Sequence, residues 1–320
     1  MLGRILPYLN GLVTVSGNSL KIIKETKTNG TLIFREIPYQ TAKNMMVKYH
    51  YSHKWNTSFG LVNIGVFRDG TLLGAAVFGN LMNPNSYKKL NPDFDKENVV
   101  ELNRLWIDDE LGYNAETTLI GASFKIIKKL YPYIYTIQSF ADGRLGCGTI
   151  YKAANFKYYG HSNSVFLQDI NSKELFHKVP LENTKRPTGF LNKNRLYLDN
   201  KLRAFKVKTY RYIYCLNKTK EILLPELPYP PYEKGMTDTV FTHSENLLAR
   251  LSVMYKLIGD DEYANKALKL INPSNLNYVL EQAHTNPSIK WFCESYLKNP
   301  RNLIDLKKLP KLTPQKLKLF

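Results

Sequence analysis

Cysteine is scarce in this chain of 320 residues. Cys147, Cys215 and Cys293 are all it has, too few and too scattered for a disulfide framework or a four-ligand zinc site, which fits a reducing compartment. Long apolar runs are missing as well. The longest uncharged stretch near the start, Ile5 to Leu20, is interrupted by Pro7, Asn10, Gly11, Gly17 and Asn18. That pattern argues against a membrane span or a signal peptide and for a cytoplasmic protein. Acidic residues are in deficit, 27 against 45 lysines and arginines. No internal repeat is visible. What remains, 43% hydrophobic and 22% charged, is the composition of a folded protein long enough for one large domain and a small one.

The charge imbalance is the first functional sign. A net +18 favours a polyanionic partner through counterion release. From Met236 onward there are 12 basic and 8 acidic residues, so +14 of that charge lies on residues 1–235. Tyrosines (22) and phenylalanines (15) interleave with the lysines, as in "FKVKTYRYIY" (Phe205 to Tyr214). Such rings can stack on unpaired bases, although this alternation equally suits a strand with one wet face.

Strand and helix signals alternate up to about residue 215. "LVNIGVFRDGTLLGAAVFGN" (Leu61 to Asn80) predicts a hairpin turning at Asp69-Gly70, and "NVVELNRLWI" (Asn98 to Ile107) a strand. Leu119, Ile120, Ala122, Phe124, Ile126, Ile127 and Leu130 have helical spacing, ended by Pro132. "YIYTIQSFAD" (Tyr133 to Asp142) reads as a buried strand, followed by a Gly-bearing turn, a short helix at Thr149 to Phe156, and further strands. Pro225, Pro228, Pro230 and Pro231 make residues 223–235 a stiff linker or a strap along the surface. Beyond it the periodicity is helical, with Thr242 and Glu245 in capping-box spacing and a lysine-rich end expected to be loose. The division expected is 1–222 catalytic, 223–235 Pro-rich linker and 236–320 helical accessory region.

Hairpin, strand, helix, strand, turn, helix, strand is the layout of a GNAT-like acyltransferase fold: α+β, with a mostly antiparallel mixed sheet and, here, a small α-helical C-terminal region. Three stretches go further. "YHYSHK", "ELNRLWIDDELGYNAETTLIGASF" and "FADGRLGCGTIYKAANFKYYG" resemble the Mom family of bacteriophage DNA-modification proteins over roughly Ile37 to Leu216. The resemblance implies a transferase acting on adenine in double-stranded DNA. It would place a carbamoylmethyl group on the exocyclic amine and so protect phage DNA from restriction. By position in the motifs it implies His50, Tyr51, Asp142 and Tyr151 as the catalytic set. Iron is associated with the family, so His50, Tyr51 and Asp142 are also candidate Fe(II) ligands.

The residues can be weighed on their own chemistry. Asp142 stands where a buried strand meets a Gly-rich turn, a usual place for a site residue in open α/β sheets, though Asp before Gly143 also suits turn capping. His50 can serve as base or ligand, and Tyr51 can stack on an extruded base. His53, three residues on, is a weak metal signal without a third ligand, and Lys54 is a candidate phosphate contact. Gly143, Gly146 and Gly148 bring backbone amides toward a phosphate or carbonyl, with Arg144 beside them, or merely permit a tight turn. Arg104 is a candidate substrate contact and Asn103 its support, while Cys147 reads as packing. The stretch matching the coenzyme A phosphate loop, "DDELGYNAETT" (Asp108 to Thr118), is acidic with one glycine, which leaves the donor open between acetyl-CoA and glycyl-tRNA and makes tRNA a candidate partner. Competing readings are a non-catalytic nucleic-acid-binding protein and an N-acetyltransferase acting on a small molecule or protein.

Overall fold

The computed structural model describes residues 13–16, 19–26, 28–232, 237–238 and 241–298. In chain order the elements are β1 (Val13–Ser16), β2 (Ser19–Thr26), β3 (Gly30–Glu36), α1 (Tyr39–Tyr49), β4 (Val62–Arg68), β5 (Thr71–Gly79), β6 (Val99–Ile107), α2 (Ala115–Leu130), β7 (Thr136–Asp142), α3 (Thr149–Ala153) and β8 (Lys157–Asp169). They continue with β9 (Leu175–His177), α4 (Val179–Glu182), α5 (Pro187–Leu198), β10 (Leu202–Cys215), β11 (Thr237–Asp238), α6 (Glu245–Leu257), α7 (Asp261–Leu268), α8 (Leu276–His284) and α9 (Pro287–Lys298).

The chain forms two compact units, residues 1–162 with 208–235 and residues 163–207 with 236–320. This grouping differs from the division expected from sequence. Residues 163–207 cluster with the C-terminal helices, because Phe190, Leu191 and Leu198 of α5 share one core with Leu248, Leu251, Met254 and Tyr255 of α6. Residues 223–232 lie along the first unit as a strap: the Leu223 amide donates to Leu90 O (2.8 Å), the Leu227 amide to Tyr158 O (2.9 Å), and the Tyr229 hydroxyl to Phe156 O.

In the first unit the strands run β1-β2-β3-β4-β5-β6-β7-β10-β8. Asp69 (φ 50) and Gly70 (φ 79) supply the positive φ angles that join β4 to β5. Side chains of β5 alternate between two cores. Ala76 and Phe78 pack with Phe34, Ile64 and the apolar stripe of α2, whereas Ala75 and Val77 pack with Met45, Met46 and Phe67 against α1. Helices therefore cover both faces.

Between β6 and β7 the pairing is parallel. β6 and β7 pair from Val99↔Thr136 to Glu101↔Gln138 and then separate. Past that point β6 remains with β5 as far as Ile107, and β7 remains with β10 as far as Asp142. A mixed, mostly antiparallel sheet is the layout expected from the acyltransferase resemblance. In the second unit, α6 is capped by Ser244, whose hydroxyl accepts from the Leu247 amide at 3.3 Å. Thr242 was the expected cap, but Glu245 is engaged by the Asn272 amide (2.9 Å) and the Asn275 side chain (2.8 Å). The early run Ile5–Leu20 lies mostly, and the lysine-rich end wholly, outside the described residues. Among those described, no helix is long and apolar enough to cross a membrane.

Phe156 is fully buried, with ring centroids of Phe124, Tyr151 and Tyr214 5.3 to 5.8 Å away. Phe156→Ala is expected to lower unfolding stability by about 3–5 kcal/mol, readable as a lower urea midpoint.

Candidate active site

A cavity of about 500 Å³ opens where β6 and β7 part. Its walls are Leu102 to Ile107 of β6, Phe140 to Asp142 of β7, the turn and helix from Leu145 to Tyr151, His50 and Tyr51 just past α1, Asp109 and Glu116 beside the start of α2, and Tyr232 of the strap. His50, Tyr51, Arg104, Asp142, Gly146, Gly148 and Tyr151 are thus brought together from three separate stretches of the chain. Lys54, Gly143 and Arg144 do not line the cavity.

The histidine segment comes first. α1 ends at Tyr49, and His50 turns the chain into extended geometry. His50 is buried, and its Nδ1 accepts from the Ser52 backbone N–H at 3.1 Å with Ser52 Oγ at 2.9 Å. A backbone donor has no choice of role, so the neutral ring carries its proton on Nε2. Burial, the Arg104 charge and His53 together lower its pKa to about 4. His53 does separate work: at φ 47 it turns back, and its Nδ1 lies 3.0 Å from Val47 O, one of the last carbonyls of α1. Tyr51, 56% exposed, tilts over the His50 ring with centroids 4.3 Å apart.

Beneath them runs an irregular β6. Its pairing with β5 shifts so that Val77 faces Arg104 and Phe78 faces Leu102, leaving Asn103 as the extra residue of a bulge. The bulge re-aims Arg104. Its guanidinium lies 4.6 Å above Phe59, Nη1 donates to Asn103 O (2.6 Å), and Nε is buried with no partner. Gly79 makes the arrangement possible, since a Cβ there would strike Ser58 O and Asn103 Oδ1. The loop after His50 is thereby allowed to close on the bulge.

Asp142 ends β7 as a turn cap and an ion pair at once. The Arg144 amide donates to its Oδ1 at 3.0 Å, and Arg144 Nε reaches both carboxylate oxygens at 2.9 Å. Gly143 serves the sheet rather than a ligand: its amide donates to Lys208 O (2.9 Å), and a side chain would strike that same carbonyl. Gly148 (φ 88) lets the turn close over Ala141, Tyr151 and Tyr212. Tyr151 is buried, stacks on Tyr212 (5.1 Å), and is pushed up to about 12 by burial, so its phenol is protonated at neutral pH. Cys147 is buried among these rings, and its carbonyl accepts from the Tyr212 hydroxyl.

Two groups escaped the sequence reading. Glu101 is buried beneath the fork, where burial raises its pKa against hydrogen bonds from the Met82 amide (3.4 Å), Asn103 Nδ2 (3.0 Å) and Gln138 Nε2 (3.5 Å). An acidic residue inside an apolar strand pattern was the available signal. Tyr232 has none, because only folding carries the strap to the cavity.

The donor set does not fit an iron centre. Among the described residues no three His, Cys, Asp or Glu side chains cluster as ligands. The Asp142 carboxylate is bound by Arg144 on both oxygens, and a metal at His50 Nε2 would need the ring proton on Nδ1, against the Ser52 amide. The pyrophosphate of coenzyme A is no better suited. Glu116 occupies the first turn of α2, where the helix dipole would otherwise favour an anion, and Asp109 stands beside it.

Comparison with known proteins places this geometry in a family. Residues 31–231 match the model of the Mom protein family. The methylcarbamoylase Mom of Escherichia phage Mu is 35% identical over 182 residues, covering 55% of this chain and 72% of the relative. Similar solved structures include an N-acetyltransferase from Staphylococcus aureus Mu50 (12% identity, TM-score 0.34, 58% of this chain and 99% of that one). Another is a putative acetyltransferase from Salmonella typhimurium with acetyl-CoA (9% identity, TM-score 0.35, 58% and 95%). On the extent of the family match, which spans the whole cavity wall except Tyr232, the chain belongs to the Mom protein family.

Proposed function

We propose that this protein is a DNA-modifying transferase that leaves the exocyclic amine of adenine carrying a carbamoylmethyl group, and so protects phage DNA from restriction in the host cytoplasm. The observation that carries the reading is the convergence of His50, Tyr51, Arg104 and Tyr151 on one cavity within the family-matched segment. A methylcarbamoylase as relative supports the group transferred, and the net +18 suits a polyanionic substrate. The base must leave the stack to enter the cavity, and the exposed ring of Tyr51 offers it a stacking face.

In this reading His50 is a donor rather than a base. Its Nε2–H and the Tyr151 phenol hydrogen-bond the acyl carbonyl oxygen, and the Arg104 charge stabilises the oxyanion formed as the amine adds. Asp142 positions Arg144 and fixes the turn. The donor that balances without redox chemistry is a glycyl ester such as glycyl-tRNA. The adenine amine attacks the ester carbonyl and expels the tRNA hydroxyl; the glycyl amine then adds to the purine ring carbon, and the original amine nitrogen leaves that carbon to become the terminal amide. An acetyl group would need oxidation at its methyl carbon and an added nitrogen.

Mass spectrometry of nucleosides from cells expressing the wild type is expected to find carbamoylmethyl-adenine, reduced about 100-fold or more by His50→Ala. His50→Gln, whose amide can still donate, should retain a measurable fraction; equal loss in both would show a base instead. Purified protein should lose activity when its donor preparation is treated with RNase, and sustained activity with acetyl-CoA alone would refute the ester donor. The lowered pKa has its own consequence. With about 4 in the folded state against 6.5 unfolded, stability is complete above pH 6.5 and declines as pH falls through that window. His50→Gln should flatten the decline in acid-denaturation curves, leaving the part due to His243, which burial holds near 4, and to His177, which burial also lowers.

A further inference from the structure

We infer that Tyr232 is a second base-contacting residue of the cavity, an aromatic face on which the extruded adenine stacks. The inference rests on the proposed adenine substrate and extends it to a residue one position beyond the family match at 31–231. Tyr232 lines the cavity while remaining 72% exposed, and among the described residues its ring has no aromatic neighbour. The ring is carried over the turn after β7, since a Cβ added at Gly146 would lie 3.5 Å from its Cε2. A Cβ there would make ordinary van der Waals contact with the ring, and φ 126 at Gly146 disfavours a side chain.

The strap makes this placement rigid. Pro230 and Pro231 precede the tyrosine and fix their own φ angles. Upstream, the Leu227 amide is bonded to Tyr158 O (2.9 Å), the Tyr229 hydroxyl to Phe156 O, and the Tyr229 ring receives Lys152 at 5.1 Å. The strap thus runs from the edge of the sheet past Phe156, the residue under Tyr151, to the cavity mouth. A large exposed ring held by prolines loses little conformational entropy when a planar ligand covers it, and base–aromatic stacking depends on the π face rather than on base sequence. Tyr51 and Tyr232 then give the mouth two faces from separate elements, with the donors of His50 and Tyr151 below.

The test uses the full chain and two fluorescent single-stranded oligonucleotides, one bearing adenines and one of the same length with abasic sites at those positions. Wild type is expected to bind the adenine strand more tightly. Tyr232→Ala should weaken binding to the adenine strand about 10-fold and leave the abasic strand unchanged, with Tyr232→Trp restoring affinity and Tyr232→Leu failing to. Thermal midpoints of all variants should match the wild type, because the ring covers no core. Wild-type preference for adenine that persists in Tyr232→Ala would overturn the inference alone, as would equal weakening toward both strands. Absence of any preference in the wild type would overturn the adenine reading with it.

Discussion

Pairing between β6 and β7 lasts three residues and then stops, and the site depends on that stop. Parallel strands that remained together would bury Leu102 to Ile107 against Phe140 to Asp142. Each strand keeps its outer neighbour, β6 with β5 and β7 with β10, while the backbone groups that face inward past Glu101 and Gln138 have no β6–β7 ladder, and a cleft is left between the strands. Side chains already aimed along the two strands become walls. The bulge at Asn103 works on the same strand, re-aiming Arg104 from the sheet's regular alternation into the space the fork provides.

Around the cleft, polar groups are held by fixed donors. The Ser52 amide sets the His50 tautomer, the Arg144 amide and guanidinium set the Asp142 carboxylate, and Tyr151 is packed among Phe156 and Tyr212. Each constraint comes from a neighbour close in sequence or from aromatic packing, so the geometry exists before substrate arrives, as electrostatic stabilisation requires. The same fixed donors occupy the lone pairs a metal would need. Preorganisation for hydrogen-bond donation and readiness for ligation compete for the same atoms, and here donation has them.

Legibility in the sequence followed the range of the interaction. Asp69-Gly70 announced its hairpin because a tight turn is decided by the φ angles of two residues, and α2 was readable from spacing alone. The four motif residues converge on one cavity, whereas three of the flanking expectations did not: Gly143 spends its amide on Lys208, Arg144 is turned to the Asp142 carboxylate, and Lys54 lies away from the cavity wall. All three look like ligand contacts in one dimension, since a glycine-rich turn with its arginine and a lysine near a histidine carry no record of which partner folding supplies. The expected boundary at 222 shifted for a similar reason. Residues 163–207 have ordinary strand and helix patterns, and only the shared core of α5 and α6 reveals their company.

By itself, then, the sequence determined the elements, the acid deficit that favours a polyanion, and the family, because these reside in local periodicity, composition and motif strings. Tertiary structure decided the roles. The tautomer of His50, the pairing of Asp142 with Arg144, the buried Glu101 and the arrival of Tyr232 at the cavity all depend on which backbone amides and rings meet across the chain. Between His50 and His53 the division is plainest: the His50 ring is set in the cavity by one hydrogen bond from the Ser52 amide, while His53, three residues on, turns back to cap its own helix.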